Sequence, residues 1–146
     1  MPNRACSSSA WAWAETVTAN YFVELGVQPH LGRLDFPPDS DRQPGSAPQI
    51  VISERFWPRF FSSDPAIVGK VVHVNRHAYT IIGVADPAFR GIMSGLSMDF
   101  WVPTSMYQQL GAGVPTDKRG WNSFHTVARL QPGASLAQGF DKINTT

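Results

Sequence analysis

Four histidines, His30, His73, His77 and His125, are the first residues to weigh for metal or acid–base chemistry. His73 and His77 flank Asn75-Arg76, and a cross-strand pair there could ligate zinc or copper. No carboxylate or cysteine lies nearby in sequence to complete such a site, which favours plain strand positions on a polar face. Ser53 stands between an apolar run and a helix-like segment, where a nucleophile could sit. The nucleophile elbow requires glycine two residues to either side, and Val51 and Arg55 occupy those positions, so Ser53 reads as a helix N-cap. Asp39 and Asp41 offer oxygens to calcium, but without the glycine and distal glutamate of an EF-hand loop. Gly91, Gly95, Gly111 and Gly113 include no Gly-Lys-Ser/Thr and make no phosphate loop. Trp57, Trp101 and Trp121 could form a stacking platform, yet each falls in an apolar stretch, which favours packing. No catalytic, cofactor-binding or metal-ligating set assembles. The expectation is a binding or mechanical module that is not an enzyme.

Composition narrows the class. The chain has 146 residues, 42% hydrophobic and only 16% charged, with 12 glycines and 12 prolines. So much backbone punctuation excludes a helical bundle and suits a turn-rich fold with β structure. Twelve basic and eleven acidic residues leave a formal charge of +1, which gives no electrostatic footprint for nucleic acid or a polybasic membrane anchor. Cys6 is the single cysteine, so an internal disulfide and a cysteine-based zinc site are excluded. No stretch approaches the ~18 consecutive apolar residues of a membrane span. Ser7-Ser8-Ser9 stands where a signal peptide would carry its apolar region.

These residues are positioned by short elements. Residues 1–12 lack periodicity and are expected to be disordered. Trp13 to Val17 predicts a strand, followed by a helix through Tyr21, Phe22 and Leu25, capped by Thr18 or Asn20 and closed by Gly26. Asp35 to Pro48 is a proline-rich loop. Gln49-Ile50-Val51-Ile52 predicts a buried strand, and Phe56 to Phe61 a short helix kinked by Pro58 and ended by Asp64-Pro65. Alternation of Val72, Val74, Tyr79 and Ile81 about Asn75-Arg76-His77 predicts a β-hairpin. Asp86 to Ser97 is loop and Phe100-Trp101-Val102 a strand. Pro103 then opens a helix through Met106, Tyr107 and Leu110. After a loop over 111–120, Phe124 to Leu130 predicts a strand, Gln131-Pro132-Gly133 a turn, and Ser135 the start of a last helix. The fold class is α+β.

Six blocks in order resemble MacB-like periplasmic core domains, found in permeases of the MacB/FtsX class of ABC transporters. Thr18 to Arg33 (T-A-N-Y-F-V-E-L-G-V-Q-P-H-L-G-R) resembles the family's V-S-x-N-Y-F-x-x-L-G-V-x-P-x-x-G-R. Val51 to Trp57 resembles V-[IL]-S-x-x-F-W, and Asp64 to Lys70 resembles D-P-x-I-V-G-K. Tyr79 to Ala85 with Phe89-Arg90-Gly91 is similar to [YF]-T-V-I-G-V-x-P-x-x-F-x-G. Asp99 to Pro103 is similar to D-[LF]-W-V-P, and Ala128 to Gln138 to [GA]-R-L-K-P-G-V-S-L-A-Q. The chain departs from the pattern in three places. Asn75-Arg76 replaces Asn-Gly, Pro58 interrupts a helix, and Ser62-Ser63 stands where Gly-Gly is common.

The resemblance implies a small mixed lobe of short strands and helices, residues 34–120, inserted in a split porter-like α/β subdomain. Residues 13–33 and 121–146 would be pieces of that subdomain, whose upstream βαβ portion and membrane helices lie outside this chain. It implies an inner-membrane permease with a periplasmic face, a cytoplasmic ABC ATPase subunit, a second permease copy and, in some relatives, a periplasmic adaptor. The domain would transmit ATPase-driven motion; without a Walker motif the chain itself would not hydrolyse ATP. Two other readings stay open: a carbohydrate- or peptide-binding β-rich module using Trp57, Trp101 and Trp121, and a non-functional truncated permease fragment. Two coplanar exposed tryptophans would favour the module; burial of all three would favour the permease lobe.

Overall fold

Ile50-Val51-Ile52 forms the middle of the structure because an unbroken β-branched run is stable only where both faces of a strand are covered. The computed structural model describes residues 11–111 and 125–144. By its contacts the chain divides into two units, 1–113 and 114–146. In the first, six strands make one sheet: β1 (Ala14–Val17), β2 (Pro29–Gly32), β3 (Gln49–Ile52), β4 (Val71–Val74), β5 (His77–Ala85) and β6 (Phe100–Pro103). The order is β1-β6-β3-β5-β2, with β4 also on β5. β1 runs parallel to β6, β6 antiparallel to β3, and β3 parallel to β5. β4 covers His77 to Thr80 of β5, and β2 covers Gly83 to Ala85 further along it, both opposite β3.

The sheet separates two cores. On one face Val17, Val51, Ile82, Ala85 and Trp101 pack with Phe22 of helix α1 (Tyr21–Leu25) and with Leu34, Phe36 and Met98. On the other, Ile50, Ile52, Tyr79, Ile81, Val84, Phe100 and Val102 pack with Ile67 and Met106, and with Phe56, Trp57 and Phe61 of α2 (Phe56–Phe61). A β-bulge makes this sorting possible. Ile50 pairs with Ile81 but Val51 pairs with Gly83, so Ile82 is the extra residue and the alternation of β5 changes parity there. Gly83 is obligatory: a Cβ on it would stand 2.1 Å from the Arg33 carbonyl oxygen.

Most expected elements are present, with informative differences. β2 was not expected, because Pro29-His30-Leu31 has no alternation; it survives as an edge strand, where a missing proline donor is tolerated. Gly26 closes α1 in the left-handed region at φ 70°, while Asn20 at the N-cap makes no side-chain cap bond and instead accepts the Thr18 hydroxyl at 2.8 Å. Ser53 Oγ accepts the Phe56 amide at 3.1 Å, the capping role expected of it. The segment after Pro103 is two 3₁₀ turns, Thr104–Met106 and Gln108–Leu110, rather than an α-helix. Tyr107 joins the two turns, and Gly111 in the left-handed region at φ 73° ends the second.

In the second unit, residues 125–130 are exposed coil rather than strand, since no described strand pairs with them. The Ala134 amide bonds the Gln131 carbonyl at 3.0 Å across Pro132 and Gly133 (φ 84°), a type II turn. Ser135 and Gln138 cap helix α3 (Leu136–Asn144) reciprocally: the Gln138 amide donates to Ser135 Oγ and the Ser135 amide to Gln138 Oε1. Leu136, Phe140 and Ile143 form an exposed apolar stripe on it. Of residues 1–12, expected to be disordered, 1–10 lie outside the described residues, as do the loop at 112–120, Trp121 and Phe124, while Ala12 packs against the Ile50–Ile52 core.

Candidate functional site

The residues singled out for chemistry do not converge. In the β4–β5 hairpin Val74 pairs with His77 and His73 with Ala78, so the two histidines alternate onto opposite faces and cannot share a metal ion. His30 packs edge-on against Trp57, with ring centroids 5.7 Å apart. Among the described residues no group of three histidine, cysteine, aspartate or glutamate side chains is placed to hold a metal. Ser53 is buried and committed to its cap. Asp39 pairs with Arg42 at 3.4 Å on the surface, while Asp41 faces other partners, so the two carboxylates do not face one cation. Trp101 is fully buried and Trp57 half-buried with its indole N–H donating to the Asp64 carbonyl. Trp121 lies outside the described residues, so two members of the supposed stacking platform are packing residues.

What the fold does bring together is a set of carboxylates that tie distant segments. Glu15 on β1 points to the same face as Trp101 on β6. Its Oε2 accepts the Trp101 indole N–H at 2.9 Å and the Tyr21 hydroxyl at 3.1 Å. Around this acceptor stands an aromatic cluster: Phe22 meets Trp101 edge-on at 5.6 Å, and Phe89 lies 5.3 Å from Trp101 and 5.8 Å from Phe22. Gly91 closes against it, since a Cβ there would lie 2.9 Å from Met98 and 3.5 Å from Glu15 Oε2. Burial first, then the charge and hydrogen bond of Glu15, push the Tyr21 phenol well above the ordinary tyrosine range. An acceptor shared by the fully buried Trp101 indole and the half-buried Tyr21 hydroxyl ties β1, β6 and α1 together.

Two further carboxylates repeat the device. Asp99, 6% exposed, accepts the Trp13 amide at 2.9 Å and faces the Arg59 guanidinium of α2 at 3.7 Å. Asp41 accepts the Ala19 amide at 2.7 Å and the Thr104 hydroxyl at 2.8 Å, pinning the proline-rich loop to the start of α1 and to the first 3₁₀ turn. At the end of α2 the Lys70 ammonium and the Ala66 amide hold the Asp64 carboxyl below its usual range. Reading for nucleophiles and ligands passes over Glu15 and Asp99, although a signal exists. Each is a lone charge inside an apolar strand run, Trp13 to Val17 and Met98 to Val102, where burial demands a partner. Chemically these groups position backbone; the Asp99 carbonyl itself accepts the amide of Ser53, the serine weighed as a nucleophile, whose Oγ accepts the Phe56 amide.

The family model of the MacB-like periplasmic core domain matches residues 4–146. Among solved structures, the periplasmic region of MacB from Actinobacillus actinomycetemcomitans is similar at 25% identity with a TM-score of 0.48. The match covers 63% of this chain and 37% of that one, so this chain spans little more than a third of that protein's length. No curated protein matches. With residues 4–146 matched by its model, the chain belongs to the MacB-like periplasmic core domain family.

Proposed function

We propose that this chain is the extracytoplasmic part of an ABC transporter permease and works as a non-catalytic relay. It passes motion driven by a cytoplasmic ATPase to a periplasmic substrate or partner. The observation that carries this reading is the family match across residues 4–146. In it, residues 34–120 are the inserted lobe, and 13–33 with 121–146 are stretches of a split porter-like subdomain. β1 and β2, within residues 13–33, are strands of the same sheet as β5 and β6. The Glu15, Asp41 and Asp99 ties support a relay, because a lobe must move as one body to transmit displacement. The parent protein would sit in the inner membrane beside a second copy of itself, with a cytoplasmic ABC ATPase subunit and, in some systems, a periplasmic adaptor as partners. No helix among the described residues is long and apolar enough to cross a membrane.

The test places these residues in their parent permease with its ATPase. Replacing residues 34–111 by a flexible linker is expected to abolish transport while ATP turnover persists. Unchanged transport would overturn the relay, and so would ATP hydrolysis by the chain alone that survives repurification.

A further inference from the structure

Among the described residues three strands, β1, β2 and β4, are bonded on one side only, and two of them are guarded. β2 begins with Pro29, which has no N–H, and a register shift between Pro29 and Leu31 breaks its line. β4 lies between the cations Lys70 and Arg76. β1 carries no such device. Residues 11–18 hold no proline and no lysine, and the one charge there, Glu15, is turned inward to the Trp101 indole and the Tyr21 hydroxyl. The Trp13 carbonyl accepts the Phe100 amide at 3.3 Å, and β1 runs parallel to β6 with Glu15 opposite Trp101, so residues 13, 15 and 17 bond to β6. Ala14 and Thr16 therefore turn their N–H and C=O groups outward, where no described residue meets them. Beside this open edge stand Trp11, fully exposed, and Trp13, 60% exposed. Ala12 packs on the Ile50–Ile52 core, so alternation carries both tryptophans to the face of Val17.

We propose that β1 pairs antiparallel with β1 of a second copy of this chain, joining two sheets across a two-fold axis. An open edge needs a strand already extended, with free N–H and C=O groups at the same spacing, and β1 is the unguarded strand that supplies them. The register with Ala14 opposite Ala14 bonds the outward groups in pairs. It also sets Trp13 of each copy beside Glu15 of the other, and Trp11 beside Val17. Setting Ala14 opposite Thr16 would instead face Glu15 with Glu15, like charges at the closest cross-strand distance. A formal charge of +1 puts little repulsion between copies. Because each copy has one unguarded edge, pairing closes at two. Pairing at this edge does not depend on the relay reading, and either can fail without the other.

The test is sedimentation equilibrium of the 146-residue chain, with amide exchange followed by NMR on the same samples. Reductant keeps Cys6 from linking copies. A reversible monomer–dimer equilibrium is expected between about 10 µM and 1 mM, the weak range of a small interface, with no larger species. The Ala14 and Thr16 amides should become protected as dimer forms, while the Glu15 and Val17 amides, bonded to β6, stay as they are. Ala14 is exposed, so Ala14→Lys spares the fold, sets two cations opposite each other and should weaken the dimer by about tenfold or more. Ala14→Pro removes only an outward N–H and should do the same. A chain still monomeric at 1 mM would overturn the proposal. So would a dimer whose Ala14 and Thr16 amides exchange freely, which would place the contact elsewhere, as on the apolar stripe of α3. Growth beyond two copies, or a dimer that both variants keep, would overturn it as well. Should Ala14→Pro disturb β1, the lysine variant and the amide pattern still decide.

Discussion

On one face of the sheet Trp101, Phe22 and Phe89 close around a carboxylate; on the other, Ile50, Ile52, Ile81, Val84 and Val102 close around nothing polar except a tyrosine hydroxyl. Both faces are buried to the same degree, yet they are held differently. The aromatic face is directional: Glu15 fixes the angles of Trp101 and Tyr21, and ring edges meet ring faces. The aliphatic face, named for its centre although Phe100 and the Phe56 ring flank it 6.1 Å apart, has no carboxylate shared between its rings and is held by shape and area, which tolerate small repacking. For a body that carries displacement, the directional face is the one that fixes how β1, β6 and α1 move together.

The sharpest way to break this division is to remove the bulge that keeps the two sets apart. Gly83→Ala drives a methyl group into the Arg33 carbonyl, a backbone atom that cannot rotate away. The sheet must then shift β2 or lose the bulge, turning Val84 and Ala85 toward the wrong cores. The expected loss is roughly 2–4 kcal/mol, read as a drop in the urea midpoint.

Next in size is the contrast between the faces themselves. Glu15→Ala strands the buried Trp101 indole N–H inside the aromatic cluster, removes the acceptor of the Tyr21 hydroxyl and is expected to cost about 1–3 kcal/mol. Ile52→Val on the aliphatic face removes one buried methyl group and is expected to cost about 0.5–1.5 kcal/mol. Equal losses in urea unfolding would show that Glu15 is a spectator.

Much of the scaffold follows from local residue chemistry. The run at 49–52, the hairpin about Asn75-Arg76, Gly26 after α1, Ser53 before α2 and Ser135 before α3 each carry their own signal within four residues. The rest depends on contacts far apart in the chain. Glu15 meets Trp101 across 86 positions, as Trp13 meets Asp99, and no local pattern states such a pairing. The edge strand at Pro29 exists because β5 has a vacant edge, and the bulge because Gly83 must pass under Arg33. Residues 125–130 show the converse. Their apolar and β-prone composition predicts a strand, but a strand requires a partner, and the described residues supply none.

A smaller effect separates the faces by sign. Tyr21 and Tyr79 both have phenols held above the ordinary value, Tyr21 by burial together with Glu15 and Tyr79 by burial alone. Tyr21→Phe removes a bond that Glu15 receives and is expected to cost about 1 kcal/mol, whereas Tyr79→Phe removes a hydroxyl with no partner and is expected to gain about 1 kcal/mol. A raised pKa favours the protonated folded form. This contribution is therefore whole below about pH 10, the unfolded tyrosine value, and is lost as pH rises toward the folded one. Ultraviolet titration of the wild type should show Tyr21 and Tyr79 ionising above the ordinary tyrosine range, with the chain unfolding as they do. Tyr79→Phe should flatten the alkaline loss in stability. Loss of stability in both phenylalanine variants would erase the distinction.

The smallest expected effect lies at the hairpin turn, outside both cores. Asn75 and Arg76 have φ of 48° and 68°, the mirror-image turn that asparagine tolerates and arginine resists. Relief of the left-handed strain by Arg76→Gly is worth about 1–2 kcal/mol, and the added freedom of glycine in the unfolded chain takes back about 0.5–1 kcal/mol. The net expectation is a gain of about 0.5–1 kcal/mol in urea unfolding, with the aromatic-face spectrum unchanged. Asn75→Gly should show no such gain, because the Asn75 side chain donates to the Leu110 carbonyl at 2.7 Å and joins the hairpin to the second 3₁₀ turn. A larger gain from Asn75→Gly than from Arg76→Gly would mean that this tether is idle and that the aliphatic face is held by packing alone.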